Sequence, residues 1–190
     1  MAILAHGRGA TAESILSVAD ALDLPDLSYL APQAAGRTWY PHSFLTPIDQ
    51  NEPFLTSALG AIGALVSDLN GQGVASERIA FIGFSQGGCL SLEFAARHAR
   101  RYAAVAGLSA GVIGPPGTPR DYAGTLAGTP VFLGCSDTDA HIPLARVHES
   151  AAVFRGLGAV VDERIYSGLG HTISQDEIEA VRAMLLQARS

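Results

Sequence analysis

Apolar positions along the chain follow two alternating rhythms. Short runs rich in β-branched and aromatic residues lie at Ala2 to Ala5, Leu27 to Leu30, Ile79 to Phe84, Ala103 to Leu108, Val131 to Gly134 and Val160 to Tyr166, and these predict strands. Between them, longer stretches of helical period predict helices near Thr11 to Leu22, Pro53 to Leu69, Gln86 to His98, Leu144 to Leu157 and Ser174 to Ala188. Runs with little polar alternation, such as RIAFIGF, suit strands covered on both faces. Repeated βα units of this kind predict an α/β fold: a mostly parallel sheet of about six strands with helices on both faces.

Two stretches interrupt the alternation. Residues 32–52 (PQAAGRTWYPHSFLTPIDQNE) and 110–129 (AGVIGPPGTPRDYAGTLAGT) are long, rich in proline and glycine, and hold several of the few aromatic residues. Loops of such length inside a compact domain usually carry function. No internal repeat or low-complexity segment marks a further boundary, and 190 residues with 48% hydrophobic and 16% charged composition suit one domain over 1–190.

The formal net charge of -6 is dispersed over short mixed segments, so no basic footprint for a phosphate backbone is visible and nucleic acid is not an expected partner. Cys89 and Cys135 sit in apolar stretches outside any paired CxxC spacing, which points to buried packing rather than zinc binding, redox exchange or a reactive thiol. The start MAILAHGRG has too short and too uncharged an apolar run for a signal peptide, and no stretch approaches the length of a membrane span, so a cytoplasmic location is expected.

The sharpest chemical signal is GFSQG at 83–87, a G-x-S-x-G pattern between a predicted strand and a predicted helix. A turn that tight strains the backbone at Ser85 and brings strand and helix so near that side chains at Gly83 and Gly87 would collide. It also lifts the serine oxygen over the carboxyl edge of the sheet, where open α/β folds bind ligands. Ser85 is therefore the candidate nucleophile.

A serine hydroxyl needs a base within hydrogen-bond reach and a third group to orient that base. His171 lies in the glycine-rich YSGLGHTIS segment before the last helix and is the candidate base; His6, His42, His98, His141 and His148 lack such flanking and read as surface or packing residues. None of the six pairs at metal-ligand spacing, so no metal is expected. Asp137 and Asp139, in VFLGCSDTDAHIPLARV, both keep the chain order Ser, Asp, His, and spacing does not choose between them. One would orient the imidazole, the other hydrogen-bond loop backbone or help cap the next helix. For the substrate oxyanion, the Gln86 N–H at a helix start gives one donor, and the AHGRGA turn after the first strand supplies a second through the Arg8 N–H. Loss of one such donor typically costs about 3 kcal/mol of transition-state stabilisation.

With HGRG, GRTWYP, GFSQGG, D-x-x-I-P and Y-x-G-x-G-H in place, nearly the whole chain resembles the phospholipase/carboxylesterase family of α/β-hydrolases, which includes bacterial carboxylesterases and acyl-protein thioesterases. The resemblance implies a compact α/β-hydrolase fold and a serine hydrolase that cleaves carboxylic esters of small to medium acyl groups through an acyl-enzyme, without a cofactor. It assigns the acid to Asp139, three residues before Ile142-Pro143, and the oxyanion donors to the Arg8 and Gln86 backbones. Ala10 and Pro41 stand where relatives usually carry aspartate, and the chain starts almost at the HG strand, which leaves a smaller sheet. Trp39, Tyr40 and Phe44 in the 32–52 loop are candidate walls of an acyl pocket, with residues 110–129 as a second wall. Three alternatives share much of this pattern: an acyl-thioesterase, acyltransferase or lysophospholipase with the same triad, a dienelactone-type hydrolase with a cysteine nucleophile, and a catalytically silent hydrolase-fold binding protein.

Overall fold

A computed structural model describes residues 1–188. Six parallel strands form one sheet: β1 (Ala2–Ala5), β2 (Tyr29–Leu30), β3 (Ala80–Phe84), β4 (Ala104–Leu108), β5 (Pro130–Ser136) and β6 (Val160–Tyr166), in the order β2-β1-β3-β4-β5-β6. Five α-helices connect them: α1 (Ala12–Leu22), α2 (Phe54–Gly71), α3 (Gln86–Arg97), α4 (Leu144–Gly156) and α5 (Gln175–Gln187). Helices α2, α3 and α4 pack on one face through residues such as Ile62, Leu92 and Phe154, while α1 and α5 cover the other through Ile15, Val18, Ile178 and Val181. Strands covered on both sides cannot alternate polar and apolar residues, and β1 and β4 are buried at every position.

Local sequence sets the helix ends. Thr11 caps α1 by accepting the Ser14 N–H while the Ser14 hydroxyl accepts the Thr11 N–H; Ser174 and Glu177 cap α5 in the same reciprocal way. Two strand boundaries depart from the periodic reading by more than one residue. β2 is shorter than Leu27 to Leu30 because the Leu27 N–H is drawn into a turn onto the Leu24 carbonyl at 3.0 Å. β5 runs on past Gly134 because Cys135 and Ser136 continue the ladder against Ile165 and Tyr166 of β6.

Residues 32–52 are not structureless, since 3₁₀ turns form at Ala35–Arg37 and Ile48–Asn51. α2 is also a correction. Its 18 residues, at a mean hydropathy of 1.2, are long and apolar enough by composition to match a membrane span, although scattered polar residues (Thr56, Ser57, Asp68, Asn70) hide this in the sequence. In the fold, its Leu55, Leu59, Ile62, Val66 and Leu69 stripe is buried.

The strand order reverses between β1 and β3, so the chain leaves the sheet in opposite directions on either side of that junction. A crevice opens there at the carboxyl ends of the strands. The turn after β1 carries Gly7 and Arg8, and the turn after β3 carries Ser85.

Candidate active site

Ser85 occupies the turn between β3 and α3 at φ 54°, ψ -120°, a region that a non-glycine residue adopts only when its surroundings enforce it. The enforcement is steric and mutual. A Cβ on Gly83 would run into the Gly87 carbonyl, one on Gly87 into the Ala5 carbonyl, and one on Gly88 would lie 2.6 Å from the Ala110 Cβ. The Ser85 N–H donates to the Leu108 carbonyl at the end of β4 (2.9 Å), and the Cys89 N–H to the Ser85 carbonyl (2.9 Å), which fixes the turn from both sides. Gly7 lies directly against it, since a Cβ there would be 3.5 Å from the Ser85 Cβ.

His171 Nε2 lies 2.9 Å from Ser85 Oγ, and His171 Nδ1 lies 2.7 Å from Asp139 Oδ2. An ionised carboxylate only accepts hydrogen bonds, so Nδ1 carries the proton and Nε2 is left to accept from the serine hydroxyl. The Asp139 side chain is inaccessible to solvent, while that of His171 keeps 21% exposure. Burial alone would raise the Asp139 pKa. The hydrogen bond from His171, the His141 and Ile142 N–H groups on Oδ1 (2.8 and 3.0 Å) and electrostatic attraction to the imidazole outweigh it, and the carboxyl titrates below its ordinary value.

Asp137 has a different occupation. Its carboxylate accepts the Gly168 N–H (2.8 Å) and the Ser167 hydroxyl (3.0 Å), and Ser136 Oγ accepts the Gly170 N–H (3.0 Å). The end of β5 thus grips the loop that delivers His171. Of the two aspartates that spacing left open, Asp139 meets the imidazole and Asp137 holds the loop backbone. The ring of His171 also rests against Phe84, with centroids 4.9 Å apart.

These groups border a cleft of about 590 Å³ lined by Tyr40, Phe44, Phe84 and Ile142 on its apolar side and by Arg8, His42 and His141 on its polar side. Tyr40 and Phe44, two of the three candidate walls, do line it. Trp39 does not: its indole N–H donates to the His6 carbonyl (2.8 Å) and its ring packs on the His6 imidazole, so it anchors the loop from behind. Residues 110–129 do not line the cleft either. Arg146 draws the Val112 and Gly114 carbonyls onto its guanidinium (2.7 and 2.6 Å), Glu93 accepts the Ile113 N–H (3.0 Å), and the segment packs as a support under Phe44, whose carbonyl accepts the Gly114 N–H (2.7 Å).

His141, whose flanks suggest a surface or packing residue, shares the cleft with His171, the two rings meeting edge to face at 4.7 Å. Its position two residues after Asp139 was the signal available. Cys89 and Cys135 are free and buried, and burial pushes both thiols up to about 12. Neither is a thiolate at neutral pH, which disfavours a cysteine nucleophile. Among the described residues, no group of three or more histidine, cysteine or acidic side chains is arranged to hold a metal ion.

A parallel α/β sheet with serine, histidine and aspartate meeting at its carboxyl edge, beside the reversal of strand order, defines an α/β-hydrolase. Comparison with known proteins is more specific. The family described as Phospholipase/Carboxylesterase matches residues 1–188, and the chain belongs to that family. A phospholipase/carboxylesterase from Dyadobacter fermentans superposes with a TM-score of 0.94 at 41% identity, covering 97% of this chain and 88% of that one. The Bacillus cereus carboxylesterase shares the fold at a TM-score of 0.81 and 18% identity, over 99% of this chain and 88% of that one. Acyl-protein thioesterase 1 of Gibberella zeae is 31% identical over 122 residues, which are 60% of this chain and 49% of the relative; the match spans about half of that protein's length.

Proposed function

We propose that the protein is a serine esterase that hydrolyses small to medium acyl esters, acting as one unit over 1–190 and in the cytoplasm, with Ser85 as nucleophile, His171 as general base and acid, and Asp139 as the group that orients and stabilises the imidazolium. The observation that carries the reading is the continuous hydrogen-bond relay from Ser85 Oγ through His171 to a buried carboxylate. As Oγ attacks the ester carbonyl carbon, His171 Nε2 takes its proton, and the carbonyl oxygen becomes an oxyanion facing the backbone N–H groups of Arg8 and Gln86. Gln86 opens α3, so its N–H has no partner within the helix. The proton then passes to the departing alkoxide as the C–O bond breaks, leaving an acyl-enzyme. Water, deprotonated by the same imidazole, attacks the acyl carbon and releases the carboxylic acid and Ser85.

The 31%-identical thioesterase relative favours thioesters as a second substrate class, for which every step is the same with a thiolate leaving. Steady-state kinetics on p-nitrophenyl esters and acyl thioesters of graded chain length, with labelling by a fluorophosphonate probe, test both. Turnover and labelling should vanish in Ser85→Ala with the circular dichroism spectrum unchanged. Retention of most of the activity in that variant would refute the assignment, and failure of the wild type to label would favour a silent binding protein.

A further inference from the structure

The two residues whose N–H groups face the oxyanion in this reading also send their side chains to one place. From the turn after β1, the Arg8 guanidinium donates to Thr38 Oγ1 (3.1 Å), the Pro41 carbonyl (2.8 Å), the Tyr40 carbonyl (3.0 Å) and the His42 carbonyl (2.6 Å). From the turn after β3, Gln86 Nε2 donates to the same Tyr40 carbonyl (2.8 Å), while its Oε1 accepts the Trp39 N–H (3.0 Å) and the Thr38 hydroxyl (3.2 Å). The Gln86 residue is 6% exposed, so these bonds are shielded from competing water. Arg8 is exposed, yet among the described residues its guanidinium pairs with no carboxylate, and its donors point into the loop.

We infer that Arg8 and Gln86 are positioning residues as well as backbone donors: their side chains, meeting on the Tyr40 carbonyl, fix the two separate turns that carry the oxyanion N–H groups at one spacing. The inference rests on the esterase reading above. Arg8 follows β1 and Gln86 follows β3. Their Cα traces are joined by the sheet below, but Arg8 sits in a turn beside Gly9, which has φ 77° and no Cβ contact. The turn is tied once by its own backbone, the Gly9 N–H donating to the Arg37 carbonyl (2.7 Å), and a second tether keeps the Arg8 N–H aimed. The planar fork of arginine, spanning four acceptors on residues 38–42, supplies it; a lysine ammonium would not span them.

Arg8→Met and Gln86→Met keep both backbone N–H groups and remove only the side-chain bonds. For each, kcat on a p-nitrophenyl ester should fall about tenfold to a hundredfold, less than the roughly hundredfold to thousandfold of losing a donor outright. KM should rise by a smaller factor than kcat falls, because residues 40–42 lose some of their anchors while a ground-state carbonyl asks little of the hole. Affinity for phenylboronic acid, whose tetrahedral Ser85 adduct places an oxygen in the hole, should weaken by the same factor as kcat. The Arg8→Met/Gln86→Met double variant should lose less than the product of the single losses, since both act through one carbonyl. Added guanidinium should restore part of kcat to Arg8→Ala.

Should a methionine variant fail to fold, Arg8→Lys carries the test, because it keeps the positive charge while its single ammonium cannot span the four acceptors on residues 38–42. A rise in KM with kcat and boronate affinity unchanged would mean that the side chains merely hold a binding wall, and would overturn the inference. So would full activity in all of these variants. Either result with an inactive Ser85→Ala leaves the esterase reading standing, whereas an active Ser85→Ala removes both.

Discussion

Ser85 and the segment 38–46 border the same cleft, but they keep their shapes by different forces. The serine turn is held largely by exclusion: at Gly83, Gly87 and Gly88 the surrounding chain leaves no room for a Cβ. The wall is held by attraction between polar groups distant in sequence. Arg8 and Gln86 gather residues 38–42, and buried Asn51 accepts the His42 N–H (2.8 Å) while donating to the Ser43 carbonyl (3.0 Å) and Thr46 Oγ1 (3.3 Å). Steric exclusion admits one arrangement and fails abruptly. A hydrogen-bonded wall loses one bond at a time, at about 1 kcal/mol for a replaceable bond and more where a buried partner is orphaned. The reacting oxygen thus sits on the unforgiving side, and the surface that meets the variable part of a substrate sits on the adjustable one.

Substitutions separate the two. The largest effect should come from Asp139→Asn, whose amide would face His171 Nδ1 with a donor and hold the wrong tautomer. The kcat loss should be on the order of 10³ to 10⁴, with the fold intact by circular dichroism. Gly87→Ala should act on folding itself, lowering the unfolding free energy in urea by about 3 kcal/mol or more, because the Ala5 carbonyl it strikes is sheet backbone and has nowhere to go. Asn51→Ala should cost about 2 to 3 kcal/mol by the same assay while raising KM for esters far more than it lowers kcat, since it loosens only the wall. If Gly87→Ala were as mild as Asn51→Ala, the contrast between the two sides would collapse.

Smaller still, Asp137→Ala should cost about 1 kcal/mol, and its kcat should fall severalfold as the loop delivering His171 loses two anchors. Acid titration gives the finest probe. Asp139 has a folded-state pKa below its unfolded value, so its contribution to stability is complete above about pH 4 and is lost as the pH falls through the folded-state value. Urea midpoints of wild type and Asp139→Asn should therefore converge below about pH 4 and diverge above it. A constant gap from pH 2 to 6 would argue that the carboxylate is not stabilised by its partners.

The same division explains what could be read from residues alone. GFSQG speaks for its own geometry only in part: a Cβ on Gly83 would strike Gly87, four residues on, whereas those on Gly87 and Gly88 would strike Ala5 and Ala110, far away in sequence. The strands and helices were legible for local reasons, apart from the ends of β2 and β5. The wall was not. Trp39 looks like a pocket aromatic until the His6 carbonyl claims its indole, and residues 110–129 look like a second wall until Arg146 and Glu93, from α4 and α3, pull them inward. Nothing near Arg8 in sequence announces that its side chain crosses to residues 38–42. Asp137 and Asp139 differ by two positions and share their flanks, and only the path of the 167–171 loop assigns them different partners.

The sheet stops at β6, and the residues there say why it does not grow. Asp162, Glu163 and Arg164 occupy the middle of this border strand, tied to Arg155, His148 and Asp176 in a lattice of ion pairs. A strand from a neighbouring molecule could dock on that border only by stripping water from several charges at once, an expense that Val160 and Ile165, the apolar side chains left showing there, are too few to recover. The charged fringe opposes edge-to-edge pairing of two molecules, and although it lies at the far side of the sheet from β1 and its glycine turn, the loop that delivers His171 leaves from its end.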